Sequence, residues 1–306
     1  MIDSFVKFNK GYNVIIVLVD RLFDQYLVDQ FLPHTIIQIS EMNIEGFEDM
    51  SKNYSVLELV CAMKVFAGKN ILSEYNPDLL IYLDTDIIVM HDFQVVEEAL
   101  QEKDILITPH ATTTFPDNDF LPRERDFNRS GIYNAGFLAL KNTKNTLHFL
   151  DWWASHMQTE CYLDFAEGMG ADQVWMNLIP ILFEKVSVFL HPGANVAYWN
   201  LHERELSIVE NKVYVNESWP LLFLHISGYD FSKPLNLSRH QNRFNLIDMP
   251  LLKSLLDQYR ELVVKNGYET FSKYKCAYGR KKKKKIGLMR TLNKWLKPFK
   301  ISITKI

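Results

Sequence analysis

Two carboxylates separated by a single residue close an apolar run, Leu79-Leu80-Ile81-Tyr82-Leu83-Asp84-Thr85-Asp86. In an extended strand alternate side chains share a face, so Asp84 and Asp86 point together where the strand opens into a loop. Two hard oxygens at a strand's carboxyl end suit Mg²⁺ or Mn²⁺, which complete their shells with phosphate oxygens and water. An acidic strand end that caps the next segment has the same local pattern. The motif alone leaves both readings open.

The flanking segments supply a scaffold for such a site. Residues 13–20 (NVIIVLVD) form a continuous apolar run ending in Asp, the pattern of a buried parallel strand. Helical spacing follows over 22–32, a short strand over 35–39, and a helix over 55–71 that carries Lys64 among apolar neighbours. After the strand ending at Asp84 come a helix over 93–102 and a strand over 104–108. Alternating strands and helices predict a three-layer α/β arrangement around a mostly parallel sheet. Ligands bind beyond the carboxyl ends of such strands, where Asp84 and Asp86 should lie.

Residues 109–131 are polar and irregular, a long loop of the kind that is functional or mobile. Tyr133-Asn134-Ala135-Gly136-Phe137 reads as a turn entering a strand. A helix over 147–157 places Trp152 and Trp153 in the core. Asp172 reads as the cap of a helix that continues with Val174, Trp175, Leu178 and Ile179. Strands at 186–190 and 221–226 and an amphipathic helix at 251–264 complete the pattern.

Composition narrows the class. A 306-residue chain that is 47% hydrophobic and 13% aromatic has ample core for unaided folding. Residues 1–7 lack the basic-then-apolar layout of a secretory leader, and the apolar runs fall far short of the roughly 20 residues that span a bilayer. Cys61, Cys161 and Cys276 are odd in number and widely spaced, which points to a reducing cytosol over a disulfide or zinc framework. Of 34 basic residues, eleven lie from Arg280 onward with no acid among them, leaving 23 against 37 acidic side chains in the rest. An acidic body with a basic tail marks a separate binding element.

The residues resemble GT-A-type glycosyltransferases of the glycogenin and lipopolysaccharide-galactosyltransferase group, and bacterial surface-polysaccharide transferases still more. The pieces that carry the resemblance are YLDTD at 82–86, YNAGF at 133–137, ADQVWMN at 171–177, NVAYWNLHER at 195–204 and LHISGYDFSKP at 224–234. The resemblance implies a GT-A, Rossmann-like α/β/α fold over residues 1–270, with a mixed, mostly parallel sheet. It also implies a strand ahead of Met1 that this sequence lacks. Residues 1–9 then read as the end of the first helix and 14–20 as the second strand.

Carried over residue by residue, the resemblance implies that Asp84, Asp86 and His225 hold Mn²⁺ or Mg²⁺. A neutral imidazole beside two carboxylates favours Mn²⁺. Lys233 and Gly228 fall at the donor's diphosphate, and Lys64 and Tyr82 also face the donor. Asn134 lies against the donor sugar, and Asp172 and Gln173 face the anomeric carbon. Trp199, His202 and Glu203, with Arg204 beside them, line the sugar or acceptor pocket. Each has a plainer alternative: a core histidine at 225, a snorkelling lysine at 64, a solvated lysine at 233, a turn asparagine at 134, a charged surface loop at 202–204. The implied reaction is transfer of a hexosyl group from a nucleotide-sugar, with UDP favoured and anomeric configuration retained, to a glycan, lipid-linked or protein acceptor.

Two other classes stay open at this stage. A haloacid-dehalogenase-like phosphatase would use Asp84 as nucleophile and Asp86 as acid, but also wants a later strand ending in an acidic pair. A non-catalytic module could keep the fold alone. Residues 271–306 form a tail in which Arg280–Lys285 are six consecutive basic residues, followed by Ile286, Met289, Leu292, Trp295 and Leu296 at helical spacing. That composition predicts an interfacial helix on an anionic membrane surface, hence a cytoplasmic, peripheral location, ahead of nucleic acid, which is not expected, or a solvated tail.

Overall fold

Alternating side chains decide how the central strands pack. The computed structural model describes residues 1–21 and 28–280. Strands β1 (Ile15–Leu18), β2 (Thr35–Gln38), β3 (Leu79–Leu83), β4 (Ile87–Val89), β5 (Ile105–Pro109) and β6 (Tyr133–Lys141) occupy the first half. A short hairpin of β7 (Leu163–Asp164) and β8 (Met169–Gly170) precedes β9 (Val186–Val188). A small antiparallel sheet of β10 (Leu206–Val209), β11 (Lys212–Val215) and β12 (Trp219–Pro220) precedes β13 (Phe223–His225).

The central sheet has the order β3-β6-β5-β9. β6 runs antiparallel to both β3 and β5, and β5 pairs in parallel with β9. Three strands therefore share one direction and β6 opposes them, a mixed sheet whose pairings are two antiparallel and one parallel, not the mostly parallel sheet expected. β1 and β2 form a separate parallel pair. On one face Leu80, Tyr82, Ile107, Leu138 and Leu140 pack against helices Val56–Tyr75 and Lys144–Met157, in the core that holds Trp153. On the other, Ile81, Leu106, Phe137 and Ala139 meet Phe5, Phe93 and Phe223. Both faces are covered, which is why these strands read as apolar throughout. Each fully buried Leu or Phe contributes about 1.5–3 kcal/mol.

Local chemistry sets the element that carries Lys64. Ser55 Oγ accepts the Glu58 N–H (3.4 Å) while the Glu58 carboxylate accepts the Ser55 N–H (2.7 Å), a reciprocal cap at the start of Val56–Tyr75. Asn76 ends that helix in the left-handed conformation.

Three expectations change. Tyr133 to Phe137 are strand from the outset, not a turn. The stretch 109–131 contains a helix, Glu124–Ser130. Asp172 precedes a 3-10 helix (Gln173–Leu178) but makes no side-chain cap hydrogen bond, because a buried ion pair claims its carboxylate.

The β5–β6 ladder also breaks. Ile107 pairs with Leu138 but Thr108 pairs with Asn134, so residues 135–137 leave the β5 ladder. On the opposite edge Phe137 still pairs with Leu83, and Asp84 N–H donates to Gly136 O (2.9 Å). Such an irregularity bends the strand and re-aims its groups.

Residues 276–280 pack on the body: Tyr278 is buried against Phe47, and Ala277 N–H donates to Asp20 Oδ1 (2.7 Å). The helix expected over 22–32 falls mostly on 22–27, outside the described residues, as does the tail from 281. No helix among the described residues is long and apolar enough to cross a membrane.

Candidate functional site

The site assembles where β3 ends and β4 meets β13. β13 pairs antiparallel with β4, His225 opposite Ile87, and Ile226 N–H donates to Asp86 O (2.8 Å). This pairing brings together residues about 140 apart in sequence. His225 Nε2 lies 3.1 Å from Asp86 Oδ1 and 3.8 Å from Asp84 Oδ2. One ligand atom from each of the three residues falls within 4.8 Å of the others.

The chemistry of this donor set fits a divalent cation. His225 Nδ1 lies 3.0 Å from Asn195 Oδ1, an acceptor, so the ring proton sits on Nδ1 and Nε2 faces the carboxylates. His225 can then donate a second proton to Asp86 or offer its lone pair to a cation shared by all three. A cation shared by the three would satisfy all of them at once. Burial opposes ionisation of Asp86, yet the hydrogen bond and charge of His225 outweigh it and hold its carboxyl below the ordinary range.

Behind the carboxylates lies a buried lysine. Lys64 Nζ donates to Asp172 Oδ2 (2.7 Å) and Ala135 O (2.6 Å), and sits 3.8 Å from Asp84 Oδ1. Ala135's carbonyl belongs to the stretch that has left the β5 ladder. Burial works against charge on Lys64, but Asp172, Tyr82 and Asp84 together raise its pKa well above that of an ordinary lysine. Surface snorkelling is thereby excluded. Tyr82 donates to Asp84 Oδ1 (2.6 Å), and Lys64 Nζ stands 4.7 Å from its ring centroid. Burial, then Asp84, lift the Tyr82 hydroxyl well above its usual range, so it stays a donor.

Gly136 leaves room for these groups to meet. A Cβ there would lie 2.8 Å from Asn134 Oδ1 and 2.9 Å from Asp84 Oδ2, and closer still to the His225 ring. Gly136→Ala should destabilise the fold by about 1–3 kcal/mol through overpacking. With Mn²⁺ on Asp84, Asp86 and His225, the same displacement should weaken its affinity about 10–100-fold. Isothermal titration with Mn²⁺ checks this; wild-type affinity in the variant would refute the close approach.

A second layer holds Asn134. His110, just past β5, is buried, stacks on Phe127 and meets the edge of Trp199. Its Nδ1–H donates to Ile132 O (2.9 Å), leaving Nε2 to accept from Asn134 Nδ2 (3.3 Å). Asn134 Oδ1 in turn accepts the Gly136 N–H (3.1 Å). Asn200 Nδ2 donates to both His110 O (2.8 Å) and Asn195 O (2.9 Å), tying the supports of Asn134 and His225 together.

Desolvation lowers the His110 pKa to about 4. An unfolded histidine titrates near 6.5, so the unfolded chain takes up this proton first. The contribution of neutral His110 is complete above about pH 6.5 and is lost on acidification, at about 1.4 kcal/mol per pH unit towards pH 4. Denaturant unfolding between pH 7 and 4 should include this slope, and His110→Phe should reduce the slope by about 1.4 kcal/mol per pH unit, leaving the share of His191, which burial also lowers to about 4. An unchanged slope would count against a buried neutral ring.

Other residues singled out from the sequence lie around this cluster. Gln173 opens the 3-10 helix, its backbone against Gly131, where φ is +119°. Trp199 is buried, its ring centroid 5.1 Å from that of His225. The Glu203 carboxylate accepts the Thr112 N–H (3.0 Å) and Thr113 N–H (2.6 Å) and lies 3.5 Å from Arg204 Nε. It thereby latches the start of the 109–131 segment, while His202 packs on Phe115 (4.1 Å between centroids). Gly228 adopts φ +71°, and a Cβ there would collide with His240 and Ser238. Lys233 is exposed in the turn that follows, outside the hydrogen-bonded cluster.

His110, Asn195 and Asn200 escaped the sequence reading. Polar residues inside His-Pro-Gly-Ala-Asn195-Val-Ala-Tyr-Trp-Asn200 carried a signal, since an apolar stretch tolerates buried amides only when they are hydrogen-bonded.

No family model matches the chain. Two curated proteins of Bacillus subtilis strain 168 are similar to it, both uncharacterized. YfnF is 27% identical over 128 residues, 42% of each chain. YfnD is 24% identical over 234 residues, 75% of this chain and 72% of that one. The match thus spans less than half the length of YfnF. Among solved structures, the glycosyltransferase GlyE of Streptococcus pneumoniae TIGR4 aligns at 16% identity with a TM-score of 0.46, over 92% of this chain and 61% of that one. A glycosyltransferase involved in glycosylation of the major capsid of PBCV-1 aligns at 9% identity and a TM-score of 0.41, over 82% of this chain and all of that one.

Proposed function

We propose that this chain is a metal-dependent glycosyltransferase of the GT-A type. It moves a hexosyl group from a nucleotide-sugar, UDP-linked in the first instance, to a hydroxyl of a glycan, lipid-linked or protein acceptor in surface-glycan synthesis. The observation that carries the reading is the meeting of Asp84, Asp86 and His225 over Gly136, with Lys64 and Asp172 directly behind. Those three residues would hold a divalent cation, which would supply positive charge to the leaving diphosphate.

The remaining work falls to the chain's own groups. Lys64 fixes Asp172 beside Asp84, and Tyr82 holds the Asp84 carboxylate by its second hydrogen-bond site. Asn134, oriented by His110, and the Asp172–Gln173 pair are given the role the resemblance implies, binding the sugar and aligning its anomeric carbon. Lys233 and the tight turn at Gly228 contact the diphosphate, Lys233 adding positive charge as the bond to the sugar breaks. Retention of configuration belongs to this proposal. The cluster joins Asp84 and Asp86 to a histidine and not to a later acidic pair, so the phosphatase reading gains no support.

Thermal unfolding against a panel of nucleoside diphosphates, with and without Mn²⁺, tests the reading. A ligand at 100 times its dissociation constant stabilises the native state by about 2.7 kcal/mol. One nucleotide should raise the midpoint, and only with metal. A flat response to every nucleotide, with and without metal, would sink the proposal.

A further inference from the structure

Residues 194–196 are clamped beside His225 by hydrogen bonds on every side. Val196 N–H donates to Phe223 O (3.2 Å) and His225 N–H donates to Val196 O (2.9 Å), so this stretch lies alongside β13. Arg204 donates to Ala194 O, and Asn200 Nδ2 donates to Asn195 O (2.9 Å). Within the clamp Asn195 adopts φ +54°, a left-handed conformation that asparagine tolerates better than most residues. Asn195 is completely buried, and its Oδ1 meets His225 Nδ1 at 3.0 Å. The other end of the amide, Nδ2, is buried with no hydrogen-bond partner among the described residues. A fold carries an unmatched buried donor only at a cost. Among the described residues the side chain makes one hydrogen bond, and it goes to His225.

We propose that Asn195 is a positioning residue that gives the site its preference for Mn²⁺ over Mg²⁺, an inference that rests on the metal-dependent reading above. By accepting the Nδ1 proton, the amide oxygen fixes the tautomer and the orientation of the ring, and leaves Nε2 to face Asp86 Oδ1 at 3.1 Å. Mg²⁺ takes oxygen ligands, whereas imidazole is more acceptable to Mn²⁺. A ring held in place therefore adds more to the binding of Mn²⁺. Charge explains why the support is an amide. Asp84 and Asp86 already match the two positive charges of the cation. A carboxylate at 195 would leave a third, buried negative charge beside them whenever the cation departs. An amide offers the same acceptor oxygen without that charge, so the cation stays exchangeable. The left-handed backbone and the unmatched Nδ2 are then costs borne at a functional position.

Titration of the full chain with Mn²⁺, followed by electron paramagnetic resonance with Mg²⁺ as competitor, tests this. Wild type should bind Mn²⁺ more tightly than Mg²⁺. Asn195→Gly suits the left-handed backbone and removes the support of the ring. Its Mn²⁺ affinity should fall about 10–100-fold, the scale for losing an outer-shell partner, and its Mg²⁺ affinity much less. Asn195→Asp keeps the acceptor oxygen and should bind Mn²⁺ at least as tightly as wild type. Equal losses for both metals in the Gly variant would mean a general loosening of the site and overturn the proposal. Weaker Mn²⁺ binding in the Asp variant would overturn it too, and that variant decides alone if Asn195→Gly does not fold. A wild type that binds no Mn²⁺ would bring down the metal reading and this inference together. A wild type that binds Mn²⁺, with the Gly variant indistinguishable from it, would bring down this inference only.

Discussion

Lys64→Met is expected to remove about 3–5 kcal/mol of stability, because it leaves Asp172 buried without its partner. For a chain of this size the midpoint should fall by roughly 10 °C. The pair is well enclosed, with side chains only 6% exposed on each partner, so solvent cannot compensate. A second substitution separates fold from function. Lys64→Met/Asp172→Leu replaces the pair with apolar groups and should recover much of the lost stability, since such pairs contribute little net energy when both members are exchanged. It should not recover nucleotide binding or transfer, because Asp84 has lost a neighbour and the carboxylate proposed to align the sugar is gone. If the double variant were as unstable as the single, the ion pair would not be the source of the effect. If it were fully active, Asp172 would have no part in the chemistry.

Asp86→Ala is the second large effect, and it should leave the fold nearly intact. Asp86 is half-exposed on its side chain, so truncation opens no cavity. Its loss removes one of three convergent ligand atoms and the partner of His225 Nε2. Metal-dependent stabilisation by the nucleotide should disappear, and transfer should fall on the order of 10²–10³-fold, the scale set by losing a preorganised electrostatic contact. Calorimetry with Mn²⁺ and nucleotide, alone and together, distinguishes loss of the metal from loss of the nucleotide. Retained Mn²⁺ affinity would place the cation elsewhere.

Much of the scaffold was legible because the strands are short, apolar and regularly interrupted. Leu79 to Leu83 reads as a strand and is one, half-buried along its length, and the placing of the carboxylates at its end follows from the period of two. Less legible was everything that depends on long-range pairing. Lys64 looked like a surface lysine because its partners stand 71 and 108 residues away. Asp172 carried a capping pattern in sequence, but the ion pair outcompetes the cap, since a lone buried ammonium costs more than an uncapped turn. Glu203 resembled a pocket carboxylate, whereas its oxygens are taken up by backbone amides 90 and 91 residues upstream. Asn134 read as a turn residue because Asn, Ala and Gly are turn formers. Its strand conformation is enforced by β5, where it pairs with Thr108.

The broken ladder between β5 and β6 has one more implication, concerning how this protein can vary in length. Residues 135–137 serve at once as the spacer that shifts pairing from Leu138 to Asn134, the source of the carbonyl that Lys64 needs, and the floor under Asp84 and His225. Adding or removing one residue there would invert which side chains face the helices along the rest of β6 and detach Lys64 in the same step. The exposed β7–β8 tip can take added residues at far less cost than this stretch. Diversification of what the site accepts is confined to its rim, while its centre keeps a fixed count of residues.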